Sequence, residues 1–428
     1  MRVEMNAFRR VVAFLALLLP GLSSGEYLRD AKGNFIPYAG KLNRSRIMLR
    51  DVPPRRDEFR GVWIATVDNI DFPKCRTVAE FKQLYRDRVR KLAAAGFTAV
   101  IFQVRSNCDA FYPTELAPWS RALAGKEGVG FRDFDPLRFM VDEAHRNGLE
   151  FHAWFNPYRV TKSAPQGKSA YLRTLSSRNI ARKHPEWVLA QSVGGKTKLF
   201  LDPGEPQVVR HVAAVVREVA LKYPVDAIHF DDYFYPYEPL NDEDARSFAA
   251  YNPRRLKRDD WRRSNVDALI VAVRRAVDQA NAATRRHVRF GVSPFGIWAN
   301  RKNHPAGSLT SGVETCFRLY ADTRKWVKYQ VLDYIAPQIY WHFGHDAAPY
   351  AALVDWWCET VRGTKVKLYI GQGAYRAGEW DAAELVNQTR YNRMRPEVSG
   401  EAYFSYRSLF APKVPPGAIR LHNYLRGR

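Results

Sequence analysis

Two carboxylates stand side by side at Asp231 and Asp232, directly after a run over 225–230 that reads as a short buried strand, and Tyr233, Tyr235 and Tyr237 follow them. A strand that runs into two acids and a cluster of aromatic rings is unfavourable unless the acids face a cleft. Adjacent carboxylates repel, so each raises the other's pKa, and such a pair suits the work of a general acid, a base or a nucleophile. Aromatic faces beside them suit a sugar ring, which offers C–H groups on its faces and hydroxyls on its rim. The plainer alternative is a loop whose acids pair with some of the chain's 67 Lys and Arg residues.

Around this stretch the sequence alternates. Apolar, β-branched or aromatic runs occur at 59–66, 97–104, 149–155, 225–230, 288–293, 334–340, 366–370 and 402–406, with helical patterns between them at 78–95, 136–147, 206–223, 264–283, 321–330, 350–362 and 382–393. Gly96 and Gly148 follow the first two helical stretches as C-terminal caps do, and Asp135-Pro136 is a helix start with proline in the first turn. Eight strands with intervening helices are the order of an α/β fold of the (β/α)8, or TIM-barrel, kind in a single catalytic-type domain. An open doubly wound sheet is the competing topology, but no GxGxxG follows the first strand. The barrel is expected over 58–410, after an irregular lead-in at 26–57 and before a short tail at 411–428, with the last helix short or missing.

Barrels of this kind carry their chemistry at the carboxyl ends of the strands, and the sequence is one-sided in that respect. Strand 1 leads to Asp68, Asn69 and Asp71; strand 2 carries Gln103 and leads to Arg105, Asp109, Tyr112 and Glu115; strand 3 ends in Trp154, Asn156, Tyr158 and Arg159; strand 4 delivers Asp231, Asp232 and Tyr233. Strand 5 leads to Trp298 and Arg301, strand 6 to Gln338, Tyr340 and Trp341, strand 7 to Gln372 and strand 8 to Tyr406. The opposite turns, such as Ala94-Ala95-Gly96 and Arg362-Gly363-Thr364, are bland.

Acids among Trp, Tyr, Asn, Gln and Arg are the equipment of glycoside hydrolysis, in which two carboxyl groups flank the scissile bond. Asp231 and Asp232 are the candidates for the nucleophile or for the charge that stabilises an oxocarbenium ion. Glu115 is the candidate general acid/base across the cleft, with Asp71 and Asp109 as alternates. Tyr112, Trp154, Trp298, Tyr340 and Trp341 are candidates for sugar stacking, and the remaining top-face residues for binding hydroxyls and charge. There is no phosphate loop, GxSxG elbow or HExxH. A metal site is the competing reading of the acids, but no calcium-loop spacing is present, so neither metal nor cofactor is expected. His229 lies within a strand and reads as a satisfied core histidine.

The chain opens with Arg2, Arg9 and Arg10, an apolar run over 11–19 and a small-residue segment ending at Gly25, the pattern of a secretory signal peptide over 1–25. An exported protein, periplasmic or extracellular and without a transmembrane segment in its mature part, is expected. No cysteine follows the apolar run closely, so no lipoprotein attachment is expected. The formal net charge is +23, of which residues 1–25 supply +2 (three Arg against Glu4). In an exported protein that charge points to an anionic wall polymer, a membrane surface or an acidic glycan rather than to nucleic acid, for which no recognition helix or basic tail is present, the plain alternative being a generally basic surface. Four cysteines permit disulfides outside the cytosol. Cys75 and Cys108, in consecutive loops on one face, are the expected pair, leaving Cys316 and Cys358 to pair or stay free.

Phe59-Arg-Gly-Val-Trp-Ile-Ala-Thr-Val67 with Asp71-Phe-Pro73, Phe102-Gln-Val-Arg105 with Asp109-Ala-Phe-Tyr-Pro113, and Phe134-Asp-Pro-Leu137 leading to His152-Ala-Trp-Phe-Asn-Pro-Tyr-Arg159 are followed in order by Leu201-Asp-Pro-Gly204, Phe230-Asp-Asp-Tyr233, Gly291-Val-Ser-Pro294, Ala336-Pro-Gln-Ile-Tyr-Trp341 and Leu368-Tyr-Ile-Gly371. Together these blocks resemble the bacterial glycosyl-hydrolase-like family ten, which includes a cell-division-associated glycosidase of peptide-free peptidoglycan strands. The resemblance implies a (β/α)8 barrel acting on a bacterial envelope glycan, most closely denuded peptidoglycan. A strand stripped of stem peptides bears a lactyl carboxylate on each muramic acid, and a basic protein with Arg105, Arg159 and Arg301 on its top face would attract that polyanion. The alternatives are a non-catalytic glycan-binding protein on the same scaffold and a glycosidase for another polysaccharide.

Overall fold

The computed structural model describes residues 25–427, so the expected signal segment, up to its last residue, lies outside the described residues. Eight parallel strands form the centre: β1 Phe59–Ile64, β2 Ala99–Arg105, β3 Glu150–Phe155, β4 Ala227–Phe230, β5 Arg289–Val292, β6 Tyr334–Ile335 with its continuation Gln338–Ile339, β7 Lys367–Gln372 and β8 Val398–Tyr403. Consecutive strands pair, and β8 returns to β1 with Gly400 opposite Phe59 and Tyr403 opposite Val62, which closes the TIM barrel expected from the alternation. Strands covered on both faces need apolar residues at consecutive positions, and every residue of β2 is buried.

The helices surround the barrel: α1 Val78–Ala94, α2 Pro136–Arg146, α3 Pro206–Lys222, α4 Arg258–Thr284, α5 Thr323–Lys328, α6 Tyr350–Val361, α7 Glu384–Arg393 and α8 Pro416–Leu425. Their ends follow the local sequence. The Asp135 carboxylate accepts from the backbone N–H groups of Leu137 and Arg138, and Gly96 and Gly148 take the left-handed conformation, with φ of 86° and 70°, that ends a helix. Along α3, Val208, Val212, Val215, Val216 and Val219 form the buried stripe.

Most boundaries fall within a few residues of the sequence reading, and three differences have a local cause. β8 begins at Val398, four residues ahead of the expected run, because its early positions are Gly400 and the buried Glu401, bonded to Asn392 at 3.1 Å. Tyr406 therefore opens a short helix, Tyr406–Phe410. α4 begins at Arg258 rather than 264: Asp259 and Asp260 favour the first turn of a helix, and the buried Arg262 grips Asp244 at 2.7 and 2.8 Å. The stretch read as a tail contains α8, whose Ala418 and Leu421 are fully buried. The lead-in forms two small antiparallel pairs, Glu26–Tyr27 with Met48–Leu49 and Pro37–Ala39 with Asn43–Arg46, and Tyr38 donates to Asp355 of α6 at 2.9 Å.

Inside the barrel, alternate positions of each strand point to the axis. Phe59, Trp63 and Ala65 of the first strand meet Ala99, Ile101, Trp154, Ala227, Tyr334, Tyr369 and Ala402 in one apolar cluster. Gly291 makes room for this packing, since a Cβ there would lie 2.1 Å from the Tyr334 ring. Polar groups in the interior are satisfied in a chain. Arg289 bonds Glu150 at 2.6 Å, Glu150 bonds His152 at 3.0 Å, and His152 and His229 both bond the Tyr334 hydroxyl, at 3.0 and 2.9 Å. His229 accepts from Trp63 Nε1 at 3.2 Å and lies 2.9 Å from Ser293 Oγ. Burial pushes its pKa well below the ordinary value, so it is the satisfied core histidine the sequence suggested.

The expected Cys75–Cys108 disulfide is absent. All four cysteines are free and buried; Cys75 Sγ lies 3.6 Å from the Pro73 carbonyl, and Cys108 Sγ lies 3.5 Å from that of Arg159. The two loops share a face, but each thiol packs into its own wall. Burial pushes these thiols up to between about 11 and about 12, away from the reactive thiolate. Protein purified without reductant is therefore expected to show no thiol reactive toward a chromogenic disulfide while folded, and four in denaturant. Two or fewer after unfolding would mean that a disulfide forms.

Candidate active site

Every strand end contributes to one cavity of about 390 Å³ at the carboxyl end of the barrel. β1 and its loop supply Trp63, Ala65, Val67 and Ile70; β2 supplies Gln103; β3 and the chain after it supply Trp154, Arg159 and Lys162. Asp231, Asp232, Tyr233 and Tyr237 follow β4, Ser293 and Phe295 follow β5, and β6 brings Gln338, Tyr340 and Trp341. Tyr375, Arg376 and Phe404, after β7 and β8, complete the lining.

The acid pair sits at its centre. β3 and β4 pair with His229 opposite Trp154 and Phe230 opposite Phe155, so the next residues, Asn156 and Asp231, meet at the strand ends. The Asp231 carboxyl accepts from Trp154 Nε1 at 3.1 Å, from Asn156 Nδ2 at 3.0 and 3.1 Å, and from the Tyr233 backbone N–H at 3.2 Å. Asp232 accepts from Gln338 Nε2 at 2.9 Å and from the Tyr237 hydroxyl. Both side chains are buried. Burial raises the pKa of each, and the charge of Asp231 adds to that of Asp232, which is pushed up to about 7. Arg159, whose guanidinium lies 4.4 Å from the Tyr233 ring centre, opposes the rise in both. Two like charges this close hold one proton between them near neutral pH. The donors gathered on Asp231 favour its carboxylate, so the proton belongs on Asp232.

Aromatic rings build the walls. Phe295 meets Trp341 edge to face at 5.2 Å and Tyr237 at 5.9 Å, and Tyr340 stacks on Phe404 at 5.9 Å. Gln103 fixes its Oε1 by accepting from the N–H groups of Thr66 and Val67, at 3.1 and 2.9 Å, which leaves Nε2 with no protein partner among the described residues. A smaller cavity of about 120 Å³ adjoins, sharing Arg159, Lys162 and Tyr233 and adding Asn156, Tyr158 and Lys198. Its sheet wall comes from Arg159–Thr161 and Lys196–Leu201, two strands of a three-stranded antiparallel insertion after β3 that Val188–Val193 completes.

Of the residues singled out from sequence, Gln103, Trp154, Arg159, Asp231, Asp232, Tyr233, Gln338, Tyr340 and Trp341 line the main cavity, while Asn156 and Tyr158 line the adjoining one. The others lie elsewhere. Glu115 has a side chain 95% exposed and pairs with Arg178 at 3.2 Å. Asp71 is buried as a brace: it accepts from Ala65 N at 2.8 Å, Ser405 Oγ at 2.7 Å and Arg407 N at 2.7 Å, joining the first and last loops. Asp109 holds its own loop through Ser120 at 2.5 Å. Arg105 is buried and does not line the cavity; a register shift after Gln103 sets it opposite Phe155. Tyr112 packs on Tyr223, Trp298 bonds Asp322, Gln372 bonds Tyr350, and Tyr406 packs on Phe410. Arg301 lines a separate groove with Arg324, Lys328 and Arg362. The lining residues not singled out include Trp63 and Phe404, which the period of two from Phe59 and Ala402 would have found. Lys162 lies in a loop and Tyr375 and Arg376 in the single 3-10 turn Ala374–Arg376, which carry no such signal.

The chain is similar to known glycosyl hydrolases. The family model for Glycosyl hydrolase-like 10 matches residues 58–391. The chain is 42% identical over 364 residues to the glycosyl hydrolase YngK of Bacillus subtilis, covering 82% of this chain and 69% of that protein. It is 37% identical over 396 residues to the glycosyl hydrolase DigH of Escherichia coli K12, covering 86% and 87% of the two chains. Among solved structures, a β-galactosidase from the psychrophilic Marinomonas ef1 shares the fold, with a TM-score of 0.54, 13% identity, and coverage of 86% of this chain and 59% of that one.

The buried pair has a consequence for stability. A carboxyl whose pKa is higher in the folded state is neutral in comfort at low pH and penalises the fold as pH rises from about 4, its unfolded value, through about 7. Asp232→Asn removes that penalty. The variant is expected to be more stable than wild type at pH 8, by on the order of 2–4 kcal/mol, with the gap closing toward pH 4. Thermal unfolding across that range measures it, and an equal gap at both ends would rule out titration of Asp232 as the cause.

Proposed function

The chain belongs to the glycosyl hydrolase-like 10 family and is a glycoside hydrolase, and on that premise we propose that it is exported and cleaves a bacterial envelope glycan, namely peptide-free peptidoglycan strands. The observation that carries the proposal is the pairing of Asp231 and Asp232 inside an aromatic-walled cavity rimmed by Arg159, Lys162 and Arg376. Carboxyls for bond cleavage, rings for sugar faces and cations for the lactyl carboxylates of a stripped strand stand in one place. Lys198 extends the cationic surface into the adjoining cavity. Export is supported by the signal pattern at 1–25, and no helix among the described residues is long and apolar enough to cross a membrane.

In this reading Asp232 is the general acid. Its raised pKa keeps a proton on it near neutrality, and that proton goes to the glycosidic oxygen as the bond breaks. Asp231, held as a carboxylate by Trp154 and Asn156, faces the positive charge that develops at the anomeric carbon. Trp341, Phe295 and Tyr340 hold the sugar faces, and Gln338 and Gln103 meet hydroxyls. Arg159 anchors the anionic substituents. Glu115, exposed and outside the cavity, has no part in it.

Digestion of purified glycan strands, peptide-free and stem-bearing in parallel, tests the reading, with mass spectrometry of soluble products. Wild type is expected to release fragments from the peptide-free strands. Asp231→Asn and Asp232→Asn should lower that rate by about 100-fold or more, while Glu115→Gln leaves it unchanged. Soluble fragments only from another polysaccharide would overturn the substrate assignment. The kcat/KM profile should fall as pH rises through about 7, when Asp232 loses its proton; a flat profile from pH 6 to 9 would remove Asp232 as the acid.

A further inference from the structure

Glycosidases that rely on two protein carboxylates place them on opposite sides of the scissile bond, about 5–5.5 Å apart for a covalent nucleophile or roughly 6.5–9.5 Å apart for a base that activates water. The cavity departs from that plan. Among the described residues that line it, the carboxyls are Asp231 and Asp232, consecutive at the end of one strand. Asp71 has both oxygens engaged within the protein. Asp68, outside the lining, is tied to Lys162, and its side chain is 61% exposed. The residues that β1, its following loop and β2 bring to the lining, among them Trp63, Ala65 and Gln103, include no carboxyl.

Resting on the reading of this cavity as the glycosidase site, we infer that the attacking group is the substrate's own 2-acetamido oxygen, so that the protein takes β-linked 2-acetamido-2-deoxy sugars, with Asp231 orienting the acetamido N–H and Asp232 handling the proton. In the first step the acetamido carbonyl oxygen bonds to C1 as the C1–O bond to the leaving sugar breaks. The electron pair stays on the leaving oxygen, which takes the Asp232 proton, and the ring so formed is an oxazolinium ion. In the second step water adds to C1 and gives a proton to Asp232, while the C1–O bond to the acetamido oxygen opens and restores the acetamide. One water is consumed and the configuration at C1 is retained.

The pair's unequal surroundings suit these unequal tasks. Asp231 is locked in place by Trp154 Nε1 and Asn156 Nδ2 and, as a carboxylate, accepts an N–H and offsets the oxazolinium charge. Asp232 is held by Gln338 and Tyr237 and keeps its proton near neutrality. The apolar wall of Trp63 and Ala65 suits the acetamido methyl. Participation requires the acetamido group trans to the leaving oxygen, which selects β-linked glucosamine-type residues and excludes plain β-glucans, because they lack the nucleophile.

The test compares β-1,4-linked N-acetylglucosamine–N-acetylmuramic acid strands, peptide-free, with the same strands re-acylated by trifluoroacetyl groups. Fluorine weakens the carbonyl oxygen as a nucleophile while keeping the substrate uncharged at that position and nearly the same size. The expected result is a kcat lower by about 100-fold or more on the fluorinated strands, with KM changed less than about threefold, and NMR of fresh products from the acetylated strands showing the β anomer first. Equal kcat on both strands, or the α anomer first, would overturn the inference and leave the glycosidase reading standing; the α anomer would point to a water-activating base such as Asp68. If the acetylated strands themselves stay whole, the substrate reading and this inference fall together.

Discussion

Two neighbouring carboxyl groups buried at one strand end are the constraint on which the site depends. Left alone, such a pair would be neutral or would pull the loop into water. It stays in place because donors reach it from three directions: Trp154 and Asn156 from β3, Gln338 from β6 and Tyr237 from the loop after β4. The β3–β4 register supplies the first of these, since His229 opposite Trp154 carries Asp231 to the side of Asn156. A slip of one residue would turn Trp154 away from the axis and leave Asp231 without its donors. Closure of the barrel supplies Gln338, which comes from a strand that is not adjacent to β4 in the sheet.

Beneath the pair, the barrel interior is built not to move. Tyr334 fills space that Gly291 leaves open and receives both His152 and His229, and Glu150 with Arg289 closes the chain of hydrogen bonds at the far end. A partnered network of this sort, buried at His152, His229 and Tyr334, makes alternative packings expensive, because each would strand a polar group. Asp71 does the same for the rim: its three hydrogen bonds bind the first loop to the last. The acid that looked available for chemistry therefore holds the mouth of the cavity in shape.

The two members of the pair differ through surroundings rather than residue type. One carboxyl gathers more donors, which oppose the rise that burial causes; its neighbour has fewer and feels the first one's charge, and is pushed up to about 7. The two carboxyls stand at consecutive positions, and aromatic and amide side chains make up much of the remaining lining.

Much of this was legible in the chain. The order of apolar runs and helical patterns, capped by Gly96, Gly148 and Asp135, determined a (β/α)8 barrel, because strand and helix periods and their stop signals are local properties. The rule that chemistry lies at strand ends then located Asp231, Asp232, Trp154, Asn156 and Gln338, whose positions follow within a residue or two of a strand. Beyond that distance the sequence loses its hold. Glu115, Trp298, Arg301 and Tyr406 follow their strands in order, yet loops carry no fixed period, and these residues turn to solvent, to a helix or to a separate groove. Arg105 stands at a strand end and is still buried outside the cavity lining, where a shift of register follows Gln103. The free state of Cys75 and Cys108 was likewise a matter of side-chain direction, not of loop proximity. Local sequence sets which residues reach the top of the barrel; which of them face one another there is set by register and closure, which join residues far apart in the chain and are decided only when the whole sheet forms.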